Sequence, residues 1–324
     1  MSSHRPDCKR IEHRNVLRPL MVFFGLSLVI LLGSVSLAAP PQGTPRKIVS
    51  DDFTKNRQEA APSNSNSKSQ GQSSNNVVPR PRPGRTYRLA SRPTIKTRKS
   101  STGSVIAQLG ITIWRLRSAA NNDPGGRELI REKGKSGWVP ERVEGETIFR
   151  EGDHVRISIE SPRAGYLYVI DRDLFSDGTS GGAMMIYPWS NADNQMRPGR
   201  LVDIPAQEDD PSYFTARLTN PNQVGELLTV IVTTSPLNLP ISDKPIQISS
   251  VEIANWEKLW GGKSERFEME GGAGEAWTKQ EQQAAAGKGT RQLTRDDPAP
   301  QTIYHISATD SRAILVNVRI RYVK

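Results

Sequence analysis

The chain has 324 residues, with 44 Lys and Arg against 34 Asp and Glu, and a formal charge of +10. Its one cysteine, Cys8, lies close to the N-terminus, which excludes disulfides, thiolate metal sites and cysteine nucleophiles from everything that follows. The charge is uneven: residues 101–324 hold 26 basic and 29 acidic residues, so the positive excess belongs to the first hundred residues.

Residues 1–19 are polar and basic. Residues 20–39, LMVFFGLSLVILLGSVSLAA, carry no charge. Ser36-Leu37-Ala38 offers small residues at both positions that a signal peptidase reads, so residues 1–39 are expected to be a signal peptide cut after Ala38. The alternative is a retained anchor, because residues 20–39 are also long enough to span a bilayer. The basic flank stays inside, so either outcome exports the remainder to the periplasm or beyond, or leaves it tethered there.

Residues 40–100 are expected to form a disordered linker. Residues 61–76, APSNSNSKSQGQSSNN, are too polar to offset the entropy of ordering them. Residues 79–99 then place Arg80, Arg82, Arg85, Arg88, Arg92, Lys96, Arg98 and Lys99 on a proline-stiffened arm without an acidic residue. Such an arm suits an anionic membrane surface or envelope polymer, or serves as a solvated spacer. Nucleic acid is disfavoured by the export signal and by the lack of stacking aromatics, Tyr87 being the only one in the arm.

From residue 101 short alternating runs begin, and the expected fold is mainly β, a two-sheet sandwich with two short accessory helices toward the C-terminus. Residues 110–117 set Ile111 and Ile113 opposite Thr112, Trp114 and Leu116. Residues 153–160 point Val155, Ile157 and Ile159 inward and His154, Arg156, Ser158 and Glu160 to solvent. Residues 165–171 and 226–235 are apolar on both faces, as central strands are. Shorter strands are expected over 183–188, 199–205 and 212–218. A helical insert covers about 249–287: one helix starts at a serine cap, ends at Gly261 and gathers Ile253, Trp256 and Trp260. The other, over 275–287, has a thin apolar face and reads as a surface helix, with a connector over 268–277 between them. C-terminal strands over 301–323 end with Ile314, Val316, Val318, Ile320 and Tyr322 on one face.

The runs FREGDHVRISIESPRAGYLYVIDRD, MMIYPWSNADN, RPGRLVDIP and VGELLTVIVTTSPL, in that order, resemble the bacterial family called domain of unknown function 4384, over about residues 145–237. The resemblance implies a β-rich domain of envelope proteins, found alone or fused to signalling and peptidase-like modules. It implies no activity, substrate or catalytic residue.

Three aspartates, Asp171, Asp173 and Asp177, follow the first central strand and precede Gly178. Counted from Asp171, a helix-loop-helix calcium loop needs an oxygen ligand at position five, glycine at six and glutamate at twelve; this chain offers Phe175, Ser176 and Gly182. The run is therefore read as a turn, with a looser metal site as the alternative. His154 is read as solvated and His305 as packed or hydrogen-bonded. Neither sits in a zinc-type spacing, and no phosphate-cradling loop occurs. Tyr187 and Trp189 are the remaining ligand candidates, able to stack on a sugar face or else to close the end of the core. The sequence thus favours a non-enzymatic, exported or membrane-tethered module without cofactor that binds an envelope protein or glycan. The alternative is a carboxylate-dependent hydrolase, or a calcium-dependent binding module, using the Asp171, Asp173 and Asp177 loop.

Overall fold

The structure is a computed structural model. It describes residues 48–59, 86–90, 105–120, 137–189, 192–240, 242–286, 291–308, 310 and 312–324. The expected signal segment and most of the basic arm lie outside the described residues, and no helix among those described is long and apolar enough to cross a membrane.

The elements, in chain order, are α1 (Ile48–Thr54), β1 (Tyr87–Leu89), β2 (Val105–Ser118), β3 (Trp138–Val143), β4 (Ile148–Arg150), β5 (His154–Glu160), β6 (Gly165–Asp171), β7 (Asp173–Phe175), β8 (Ala183–Tyr187), β9 (Gln195–Met196), β10 (Leu201–Ile204), β11 (Phe214–Thr215), β12 (Gln223–Thr233), β13 (Ile246–Ile248), α2 (Ser250–Trp260), β14 (Lys263–Met269), α3 (Lys279–Ala285), β15 (Thr302–Ala308) and β16 (Ala313–Val323). They form a two-sheet β-sandwich. One sheet runs β1-β14-β15-β2-β5-β10, with β3 on β2 and β11 on β5. The other runs β13-β8-β6-β12-β16-β4, with β7 on β12 and β9 on β6.

The inner faces carry the expected alternation. Ile111 and Ile113 of β2, Val155, Ile157 and Ile159 of β5, and Leu167 and Val169 of β6 share one core. Val230 and Val232 of β12 and Val316 to Tyr322 of β16 complete it. Period-two side chains leave each strand two different environments, and here both sheets are covered on their outer faces as well. On the second sheet, Tyr168, Ile170, Met185, Ile231 and Leu315 pack under Ile253 and Trp256 of α2. Ser249 caps that helix, accepting from the amide of Glu252, and Gly261 ends it, both as the sequence predicts.

The outer face of the first sheet corrects several expectations. Arg156, Ser158 and Glu160 were expected to meet solvent; all three are buried. They lie beneath α1, α3 and the 291–301 coil; two ion pairs join the sheet to this layer and a third lies within the sheet. Arg57 holds Glu160 through two bonds, Nε to Oε1 at 2.7 Å and Nη2 to Oε2 at 2.6 Å. Arg156 reaches Asp203 at 2.8 Å, and Arg142 bonds Glu281 of α3. Trp114 and Trp277 meet edge to face between them, with Arg142 over the first ring and Arg156 over the second. A carboxylate paired in this way is buried at far lower cost than an isolated one, which lets polar strand faces form an interior layer.

Residues 275–287 are accordingly no free surface helix: α3 buries Glu281, Gln282, Ala284 and Ala285, and its cap is a reciprocal pair between Thr278 and Glu281. The expected connector contains the end of an unexpected strand, β14. The linker expectation for residues 40–100 is also corrected at two places. Val49 and Phe53 of α1 and Tyr87 of β1 form an apolar cluster with Phe267, Met269 and Ile303. Phe53 fits because position 110 is glycine: a Cβ there would stand 2.3 Å from Pro300 and 2.7 Å from Phe53. Among the described residues the domain thus has three helices rather than two, and it begins before residue 101.

Candidate functional site

The strand end Ile170-Asp171-Arg172-Asp173 feeds both faces of the second sheet. Ile170 joins the core under α2, so Asp171 turns inward and Arg172 turns outward. The flagged aspartates therefore meet different partners. Asp171 lines a cavity of about 90 Å3 between the sheets, with Glu226 of β12 and Tyr322 of β16. Its Oδ1 is enclosed without a hydrogen-bond partner. Burial, then the nearby Glu226 and Asp173 charges, push its carboxyl up to about 8. Glu226 is raised chiefly by burial and accepts a hydrogen bond from the Tyr322 hydroxyl. Like charges in a poorly solvated space cannot both ionise freely, so this pair retains a proton near neutrality.

Asp173 is half-buried and accepts from Gln223 Nε2 at 2.8 Å. Asp177 is exposed, and its Oδ1 accepts from the amide of Thr179 at 2.9 Å and from its hydroxyl at 2.7 Å, which holds it below the usual carboxylate range. Gly178 supplies the positive φ of 84° that this turn requires. Residues 176–179 are thus the expected turn, whereas Asp171 and Asp173 lie on strands. No group of three metal-ligating side chains is found among the described residues.

On the outer face lies a groove of about 790 Å3 between residues 180–183 and the first turns of α2. Arg172 lines it, with a side chain only 9% exposed. Its Nη2 donates to Thr229 Oγ1 and Glu257 Oε1, both at 2.8 Å, and to Asn317 Oδ1 at 3.4 Å. Nη1 reaches only Ser180 Oγ, at 3.5 Å, and Nε reaches no acceptor. A buried guanidinium normally satisfies its five N–H groups, so this one keeps unspent donor capacity. Gly181, Gly182, Ile248 and Ile253 also line the groove.

The aromatic candidates close the sandwich rather than offer rings. Tyr187 is buried and donates to the carbonyl of Asp193 at 2.9 Å. Trp189 is half-buried beside a cavity of about 30 Å3, facing Ile204 and Phe214. His154, expected in solvent, is half-buried between Trp138 and Tyr213, with ring centroids 4.7 and 4.1 Å away. His305 is packed on Phe267 and lies 2.9 Å from Gln108 Nε2, as expected.

Sequence reasoning singled out Asp171 but missed Arg172, Glu226 and Tyr322. For Arg172 part of the signal was present: in VIDRD, alternation puts the arginine on the face of Ile170, the face that α2 covers. Glu226 and Tyr322 reach the cavity from strands far along the chain, and no local pattern marks them. No family model, curated protein or solved structure matches this chain.

Proposed function

We propose that this chain is a non-enzymatic binding module of the cell envelope, exported and either released or tethered by residues 20–39, whose ligand enters the Arg172 groove. The resemblance to domain of unknown function 4384 belongs to the same reading. The observation that carries it is the groove itself: it falls in the volume range of ligand sites and combines apolar walls with a few convergent polar groups. The hydrolase reading would have to run through Asp171 and Glu226, whose carboxyls are both pushed up by burial. Their cavity of about 90 Å3 lies well below the roughly 300 Å3 at which ordinary ligand sites begin.

Gly182 provides the test. A Cβ built at this lining position meets nothing within 4 Å, so a large side chain can be placed at the groove without a clash. Immobilised protein should retain an envelope component that Gly182→Phe fails to retain, while Asp171→Asn keeps it. Equal retention by Gly182→Phe, or loss in Asp171→Asn alone, would overturn this reading.

A further inference from the structure

The charges of the groove narrow its ligand. Among the described residues, Arg172 and Glu257 are the only ionisable ones lining it, and they are paired at 2.8 Å, so the two cancel. What remains is directional. Nη1 of Arg172 holds a spare donor, and the first turn of α2 adds the backbone amide of Ser250, which no helical carbonyl can serve. Ser249 Oγ already occupies the next amide, that of Glu252, at 3.1 Å. A helix N-terminus favours a negative group, and a guanidinium favours a planar one. Phosphate, closer to two charges, would meet Glu257, which is 35% exposed at the same guanidinium. A monoanionic carboxylate meets the donors without that penalty. Ile248 and Ile253 beside them suit a small apolar substituent. Gln247 and Ile248 belong to β13, the outermost strand of its sheet, which leaves one row of backbone groups open to an extended chain.

We infer that the groove captures a peptide by its free carboxylate, with Arg172 and the Ser250 amide at the start of α2 as donors and Ile248 and Ile253 against the adjoining side chain. This rests on the proposed binding function and specifies its ligand.

The test follows backbone amide shifts of residues 44–324, the body that forms one compact unit, titrated with millimolar N-acetyl-Ala-Leu as free acid and as amide. The free acid should give saturable shifts confined to residues 180–183 and 247–254, and the amide should bind at least about tenfold more weakly, as the loss of charge-assisted hydrogen bonds implies. Gly182→Phe should abolish the response. Ser250→Pro removes one first-turn amide at a helix position that accepts proline, after a residue whose φ of −67° and ψ of 145° tolerate it. It should weaken binding several-fold with an unchanged melting temperature. Equal binding of acid and amide in the groove would overturn the carboxylate inference and leave the binding module standing. Absence of any groove response, or stronger binding of glucuronate or inorganic phosphate than of the peptide acid, would overturn it too. Loss of envelope retention in Gly182→Phe is judged separately, so the two failures are distinguishable.

Discussion

Arg57 stands far from any expected core, yet its side chain and that of Glu160 are each 1% exposed. It also donates to the carbonyls of Thr294, Asp297 and Pro298, so a single residue joins the α1 segment to β5 and to the coil before β15. Removing one member of a buried pair strands the other, and Arg57→Ala should cost about 3 to 5 kcal/mol in denaturant unfolding. Replacing both Arg57 and Glu160 with leucine should cost less than Arg57→Ala alone; a single-variant cost under about 1 kcal/mol would mean that the segment is not part of the folding unit. Asp171 acts in the opposite sense. Its folded-state pKa of about 8 lies above the unfolded value of about 3.9. Across that window the folded chain keeps a proton that the unfolded chain has released, so stability falls as pH rises and is least eroded at the acid end. Asp171→Asn should flatten the fall in melting temperature between about pH 5 and about pH 8. Some slope should remain, because burial also raises Asp203 and Glu268. A slope unchanged by the substitution would show that this carboxyl is not the one holding the proton.

The elements divide by how far their patterns could be read. Strands β2, β5, β12 and β16 were legible because one face is continuously apolar, and α2 because its serine cap, glycine stop and Ile253-Trp256 face agree. Their second environments were not legible. Arg156, Ser158 and Glu160 look like a solvated face, and only partners from other parts of the chain, Arg57, Asp203 and Trp114, make burial tolerable. Strand β14 escaped notice for the same reason: in KSERFEM only Phe267 and Met269 are apolar, while Glu268 is buried against Thr302 and the amide of Gly145. Helix α1 is seven residues long and β1 three, both inside a polar stretch, and neither has a pattern long enough to detect. The candidate site was half legible by the same logic, its aspartates visible and their distant partners not. Phe53 gives the measurable consequence. It is fully buried against Phe267 and Ile303, so Phe53→Ala should cost about 3 to 5 kcal/mol. A fragment starting at residue 101 loses α1 and β1 together. It should expose that apolar cluster, bind a hydrophobic dye and melt below residues 44–324; an equal melting temperature would show that the two elements add nothing.

At the scale of the whole molecule, the charge and the fold are joined at Tyr87. Residues 39–100 hold 13 basic and three acidic residues, while residues 101–324 carry a net −3. Within the basic arm, β1 is fixed on β14: Tyr87 is buried and its hydroxyl donates to the carbonyl of Pro300 at 2.5 Å. Arg88 is not free for an anionic surface in the same way as its neighbours, since Glu144 holds it at 2.6 Å. The other seven, Arg80, Arg82, Arg85, Arg92, Lys96, Arg98 and Lys99, lie outside the described residues and flank that fixed point in the chain. Deleting the arm is therefore a poor test of membrane attraction, because it removes a strand along with the charge. Replacing those seven with glutamine leaves β1 in place. Each basic residue near an anionic surface is worth about 1 kcal/mol, and the attraction fades within a Debye length as salt is added. The unaltered residues 44–324 should bind vesicles containing anionic phospholipid at low salt and release them as salt rises. The seven-glutamine variant should bind at least about a hundredfold more weakly, with the melting temperature of the parent. Retention within about threefold of the parent would mean that the acidic sandwich, rather than the arm, makes the contact.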